Sequence, residues 1–222
     1  MILGIMGQAK SGKDTLADYL VEKHGFVRIA LADEIKRIMM RIYDMSEEQL
    51  WGDSKETPDT RYPIFGRGFM TPRVGMQLIG TEVVRQLYQD TWIDLGMKYA
   101  RLVLEGTHYY DRTKGVLPNR RISRLFRRKP AGVAIPDIRF KNEVQGVHAE
   151  GGNIIRLKRP GLQAQVGIKG HQSEEEQKQI QDHEIDFRLD VPEGIENYHT
   201  AIAELWKRIP KGESKRWMKA VA

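Results

Sequence analysis

Hydrophobic and polar positions repeat along this chain with two different periods. Residues 2–6, Ile-Leu-Gly-Ile-Met, form an apolar run of the length of one buried strand, and the glycine-rich segment Gly7 to Lys13 follows at once. Leu16, Ala17, Leu20 and Val21 then recur at helical spacing until Gly25 closes the helix. Residues 26–31 return to a strand pattern. Asp33 is of the type that caps a helix, and Ile35, Ile38, Met39 and Ile42 share one face of the helix that follows. Strand, loop, helix, strand, helix is the opening of a parallel α/β sheet.

Residues 52–72, punctuated by Gly52, Pro58, Pro63, Gly66, Gly68 and Pro72, read as an irregular connection. Helical patterns run over 73–90 and 92–104. Residues 106–130 are polar, glycine-spaced and basic, and read as an inserted loop. A short buried strand is predicted over 132–135, a helix over 139–149 stopped by Gly151-Gly152, and a strand over 153–157. Residues 158–184 are polar and charged. Ile185 to Val191 form the last strand, 199–209 a closing helix, and the tail from Pro210 is basic and loose. The whole reads as one α/β domain, 1–222, with a doubly wound parallel sheet flanked by helices and ligands at the strand C-termini.

Composition narrows the chemistry. No apolar run among the 222 residues approaches the length of a membrane helix, and the N-terminus lacks the basic start and cleavage site of a signal peptide. Cysteine is absent, which removes disulfides and thiol catalysis and fits a reducing cytoplasm. A net charge of +6 favours anionic ligands.

The sharpest signal is Gly7-Gln8-Ala9-Lys10-Ser11-Gly12-Lys13-Asp14-Thr15, which fits the phosphate-binding pattern G-x-x-x-x-G-K between a strand and a helix. Glycines let main-chain N–H groups turn inward onto phosphate oxygens, and the helix start adds its positive dipole end. Lys13 supplies a point charge for the β/γ-phosphates of ATP. Gly7, Lys10, Ser11 and Gly12 complete the cradle. Asp14 stands where Ser or Thr usually follows the lysine, so two candidate Mg2+ ligands remain, Asp14 and Thr15.

With the phosphate loop placed, five further segments carry a resemblance: Leu31-Ala-Asp-Glu-Ile-Lys36, Thr71-Pro-Arg73 leading to Gln77 and Gly80-Thr-Glu82, Trp92, Pro136-Asp-Ile-Arg-Phe-Lys-Asn-Glu143, and His171-Gln-Ser-Glu174. In order and spacing the chain resembles the phage-type deoxynucleoside monophosphate kinases, relatives of adenylate and guanylate kinases. The resemblance implies a P-loop kinase fold with an acceptor-binding helical region (33–104) and a lid. It also implies ATP-dependent phosphorylation of deoxynucleoside monophosphates for viral DNA synthesis, and a homodimer.

Phosphoryl transfer asks the protein for positioning and for cations around the donor and acceptor phosphates. Arg73 suits the acceptor phosphate because its fork matches phosphate bidentately, unless it is only an exposed helix start. Arg139 fits a transition-state or acceptor arginine, or a structural ion pair with Asp137 or Glu143. Asp137 either serves the site or caps the helix expected at 139. Asp33 and Lys36 stand at the start of the acceptor-binding helix. Gln77 and Thr81 can read the base or phosphate, and Trp92 either stacks on the base or packs in the core. Segment 158–184, with Arg159, Lys169 and His171, suits a mobile lid. The basic stretch at 106–130 (Arg112, Lys114, Arg120, Arg121, Arg124, Arg127, Arg128, Lys129) is a lid arm, a partner surface or a solvated loop. Two other functions compete: another small-molecule kinase of dephospho-coenzyme A kinase type, and a nucleotide-binding module associated with nucleic acid. The lack of an aromatic-interleaved basic motif argues against the second.

Overall fold

A computed structural model describes residues 1–64, 66, 68–119, 129–162, 176–177 and 179–211. Strand β1 (Ile2–Met6) runs into the glycine-rich loop and helix α1 (Lys13–His24), followed by β2 (Phe26–Arg28) and α2 (Ala32–Tyr43). A helical region comes next. It holds α3 (Glu47–Trp51), a 3₁₀ turn (Asp53–Glu56), the two-residue strands β3 (Pro63–Ile64) and β4 (Gly68–Phe69), α4 (Pro72–Gln77), a π-helical stretch (Leu78–Val84), α5 (Arg85–Leu87) and α6 (Thr91–Leu104). The hairpin β5 (His108–Asp111) and β6 (Gly115–Pro118) leads to β7 (Gly132–Ile138), α7 (Lys141–Ala149), β8 (Asn153–Lys158), β9 (Phe187–Asp190) and α8 (Ile195–Arg208).

Five strands form one parallel sheet in the order β2-β7-β1-β8-β9. The period of two along β1 explains both of its faces. Ile2 and Met6 join Ile93, Met97, Val144 and Val147 from α6 and α7 on one side. Leu3 and Ile5 join Leu16, Leu20, Ile202 and Leu205 from α1 and α8 on the other. A smaller cluster, Met39, Met45, Leu50 and Met70, holds the helical region together. Gly25 ends α1 in the left-handed region at φ 68°, its N–H reaching back to the carbonyls of Leu20 and Val21.

Several expectations are corrected. Residues 106–119 are not an open loop, because His108–Asp111 and Gly115–Pro118 pair as an antiparallel hairpin; residues 120–128, with five of the predicted basic residues, lie outside the described residues. The strand predicted over 132–135 continues to Ile138, because the parallel ladder with β1 resumes after an irregularity and pairs Ile138 with Met6. The second strand stops at Arg28, three residues early. Val21 and Ile42 leave their apolar faces for the surface, at 41% and 67% exposure. Lys169 and His171 of the predicted lid also lie outside the described residues.

Candidate active site

The glycine-rich loop closes over the C-terminal end of β1. Gly7 and Gly12 have φ of 150° and 95°, and Lys10 holds φ 62°, a left-handed conformation that costs a non-glycine residue roughly 1–2 kcal/mol. A Cβ on Gly7 would sit 2.7 Å from Ser11 Oγ, and one on Gly12 would sit 2.9 Å from the Tyr198 ring. Glycine is therefore required at both places by conformation and by space. Ser11 is 1% exposed and its hydroxyl has no hydrogen-bond partner among the described residues. Tyr198 clamps the loop from α8 by donating to the Gly12 carbonyl at 2.9 Å.

Lys13 Nζ bends back across the loop to the carbonyls of Gly7 and Gln8, at 2.7 and 2.6 Å. Burial, with the Arg139 guanidinium nearby, lowers its pKa to about 8. The loop is thus a ring of amides with a displaceable cation across it, which fits a polyphosphate. Gln177, from a short helical stretch within the predicted lid segment, donates to the carbonyls of Gly7 and Ile138 at 3.4 and 3.2 Å. Arg159 reaches the Lys10 carbonyl at 3.5 Å.

From the loop a cleft of about 450 Å³ extends between α2 and the α4–α5 helix, at the C-terminal ends of β2 and β7. It gathers Lys10, Lys13, Asp14, Lys36, Arg73, Gln77, Thr81, Asp137 and Arg139. Ile35, Met76 and Phe140 supply an apolar wall. Thr15 is not in this cleft. It lines a separate cavity of about 250 Å³ with Arg159, Pro192 and Ile195, so the two candidate metal ligands face different spaces. Asp14 is ion-paired with Arg28.

The carboxylates do different work from that expected. Asp33 lies inside the first turn of α2 and caps nothing. It is 4% exposed and accepts from Lys36 Nζ (3.1 Å), Trp51 Nε1 (2.8 Å) and the Tyr110 hydroxyl (2.9 Å). It therefore ties α2 to α3 and to the β5–β6 hairpin. The capping falls to Asp137 across the cleft, which accepts from the amides of Leu31 and Ala32 at 3.0 and 2.8 Å. Asp137 belongs to β7 and is not the cap of α7, whose N-cap is Phe140. Burial pushes the Asp137 carboxyl up. Lys36 sits over the Trp51 ring at 5.1 Å.

Arg73 begins α4 behind Thr71 and Pro72, with the Thr71 hydroxyl as N-cap, and is ion-paired with Glu56. Among the described residues Arg139 makes no side-chain ion pair with Asp137 or Glu143. The Glu143 carboxylate accepts instead from the backbone amides of Arg139 (2.7 Å) and Phe140 (3.0 Å). Burial raises the Glu143 pKa to about 7, with its backbone bonds and Arg85 opposing. Of the two readings of Trp92, its packing follows the core one: it is 5% exposed and donates from its indole N–H to the Gly80 carbonyl at 2.9 Å, while still lining part of the cleft.

The sequence reading missed Arg28, Lys55 and Arg85 in the cleft. Arg28 was recoverable as a cation at a strand C-terminus. The β5–β6 hairpin closes a further polar cavity of about 820 Å³ that shares Asp14, Arg28, Lys36 and Lys55 with the cleft.

Comparison with known proteins gives four likenesses. Residues 1–61 match the family model for deoxynucleotide monophosphate kinase. A protein of Acanthamoeba polyphaga mimivirus, provisionally named a deoxynucleotide monophosphate kinase, is 32% identical over 187 residues, covering 83% of this chain and 86% of that protein. Among solved structures, shikimate kinase from Aquifex aeolicus aligns at TM-score 0.48 with 10% identity, covering 96% of this chain and 100% of that one. Dephospho-CoA kinase from Campylobacter jejuni aligns at 0.44 with 11% identity, covering 95% and 98%. At 32% identity over most of both chains, the sequence likeness to the viral protein is decisive: this chain belongs to the deoxynucleotide monophosphate kinase family and is a phosphotransferase.

Proposed function

We propose that the chain transfers the γ-phosphoryl group of ATP, with Mg2+, to the phosphate of a deoxynucleoside monophosphate. The observation that carries this reading is one continuous cleft joining the Lys13 cradle to Lys36, Arg73 and Arg139 along an apolar wall of Ile35, Met76 and Phe140. Cations beside a flat apolar wall suit a ligand that is phosphate at one end and base at the other.

An oxygen of the acceptor phosphate attacks the γ-phosphorus. The bond from that phosphorus to the β,γ-bridging oxygen breaks, and ADP leaves with the electron pair. The nucleophile is already an anion, so no general base is needed. Lys13 and the loop amides hold the donor phosphates. Arg73 and Lys36 hold the acceptor phosphate, and Arg139, near Lys13, neutralises charge between the two. Gln77 and Thr81 meet the acceptor base edge. Asp33 and Asp137 act through α2, which they fix, rather than by touching the acceptor. The cavity lined by Thr15, Arg159, Pro192 and Ile195 suits the donor base, with Thr15 toward the donor phosphates. Asp14, 74% exposed at its side chain and facing the cleft, is the candidate to orient Mg2+ there. Metal-bound phosphates gain charge neutralisation that the side chains alone do not supply.

Such a product feeds DNA precursor synthesis, which is the role suggested for a viral enzyme. No helix among the described residues is long and apolar enough to cross a membrane. The test is a panel of initial rates with ATP-Mg2+ over the common ribo- and deoxyribonucleoside monophosphates and dephospho-coenzyme A. Turnover of a non-nucleotide acceptor alone defeats the proposal. Salt-sensitive DNA binding without phosphorylation selects the nucleic-acid module instead.

A further inference from the structure

Arg73, Gln77, Thr81 and Arg85 all line the cleft at a strict spacing of four residues. A continuous α-helix would spread this set over a wide arc. Four residues overshoot one α-turn by about 40°, so the interval from Arg73 to Arg85 would accumulate about 120° and swing Arg85 a third of a turn away from Arg73. The stretch Leu78–Val84 is π-helical. Its i→i+5 bonding widens the turn, so four residues fall just short of one revolution and the drift is cancelled.

A π-turn weakens the normal ladder and needs support, and here the support is visible. The Gly80 carbonyl, inside the turn, accepts the Trp92 indole N–H at 2.9 Å in a buried setting. Gly80 also lets the turn lie against α2, since a Cβ there would be 2.7 Å from Ile35 Cδ1. At the far end Arg85 is 8% exposed and stacks 3.6 Å over the Phe140 ring. Its Nη1 is 3.3 Å from Glu143 Oε1 and its Nη2 is 2.8 Å from Asn142 Oδ1. Those contacts fix the plane of the guanidinium and leave other N–H groups of its five for a ligand.

We propose that Arg85 binds an oxygen of the acceptor nucleotide, and that Trp92 is the positioning residue that keeps Arg85 in the cleft by stabilising the π-turn. The inference rests on the kinase reading above and adds to it a contact residue and the device that aims it. Sequence spacing alone, read at α-helical period, turns Arg85 away from Arg73.

The experiment measures acceptor KM, ATP KM and kcat for Trp92→Phe, Arg85→Lys and the double variant. Trp92→Phe keeps an aromatic ring and loses the N–H; acceptor KM rises about tenfold, as expected for one buried carbonyl left without its donor, while ATP KM stays within about twofold. Arg85→Lys keeps the charge beside Glu143 and loses the fork, with a similar rise in acceptor KM. In the double variant the two effects do not add, because Trp92 acts through Arg85. Arg85→Lys alone carries the test if Trp92→Phe does not fold. Unchanged acceptor KM, a parallel rise in ATP KM, or additivity overturns the inference. A wild-type chain that phosphorylates no nucleotide sinks the kinase reading before any variant is compared, whereas an active wild type with indifferent variants sinks this inference alone.

Discussion

In the ligand-free chain Lys13 is held by two loop carbonyls and shielded from water, and burial together with Arg139 sets its pKa at about 8. Moving from pH 7 to pH 9 takes the side chain from about nine-tenths to about one-tenth protonated. A triphosphate binds the ammonium, so binding pulls the pKa back upward. The sign follows: affinity is complete below the free-state pKa and is lost as pH climbs through it, by about tenfold, or ~1.4 kcal/mol, per pH unit. Titration calorimetry with ATP, in buffers of different ionisation enthalpy, reads this directly. Proton uptake on binding is expected to rise from about 0.1 per ATP near pH 7 to about 0.9 near pH 9. Lys13→Arg, which stays charged throughout, flattens the profile. Arg139→Gln removes a neighbouring positive charge and moves the break to higher pH. Affinity independent of pH across this range, with no proton uptake, would refute both the burial argument and the assignment of Lys13 to the donor.

Four further outcomes are expected. Lys13→Ala lowers turnover by more than about a hundredfold while the thermal midpoint stays within a few degrees, checked by single-turnover rates and scanning calorimetry. Arg73→Ala raises acceptor KM about tenfold or more and leaves ATP KM unchanged; equal effects on both would move Arg73 to a structural role. Gly12→Ala forces a side chain into φ 95° against Tyr198, costs about 1–3 kcal/mol in denaturant unfolding, and weakens ATP binding. Asp137→Asn sets an amide N–H against the backbone N–H of Leu31 or Ala32, costing about 1–3 kcal/mol of stability and raising acceptor KM as α2 loosens.

The parts of this molecule that are local in sequence were legible in it. The apolar run before Gly7, the glycines that must turn, and the period of α1 together fixed the strand, the phosphate loop and the first helix. Gly25 and Gly151-Gly152 marked real helix ends because chain reversal there needs a left-handed residue. What was not legible depends on partners far along the chain. Asp33 has the composition of a cap, yet its partners Trp51 and Tyr110 come from α3 and from a hairpin read as an open loop. Asp137 looks like the start of the next helix because it is a capping residue type just ahead of the helix expected at 139; instead it serves α2, more than a hundred positions earlier. Arg85 was hidden by the α-helical period itself, since a π-turn leaves no mark that counting in steps of 3.6 can find.

The cations of the cleft fall into two groups with different duties. The Arg85–Glu143 pair is buried, with both side chains under a tenth exposed, and its carboxylate is also held by two backbone amides. Breaking it would strand a charge in a dry place, so it keeps its geometry through the reaction cycle. The Arg73–Glu56 pair is different: Glu56 is 49% exposed on a 3₁₀ turn, where an ion pair is worth at most about 1 kcal/mol. On the proposed acceptor role of Arg73, an arriving phosphate dianion, making two hydrogen bonds to the same fork, is expected to outcompete that carboxylate. Lys13 behaves like Arg73, since its two carbonyl partners are neutral and give way to a polyphosphate. A site packed only with fixed pairs would bind phosphate poorly, and one packed only with unpaired cations would push itself apart; Arg139 already adds to the burial that depresses the pKa of Lys13. Exchangeable partners at the phosphate end and a fixed pair farther along the cleft let the same pocket fold without ligand and grip it when it comes.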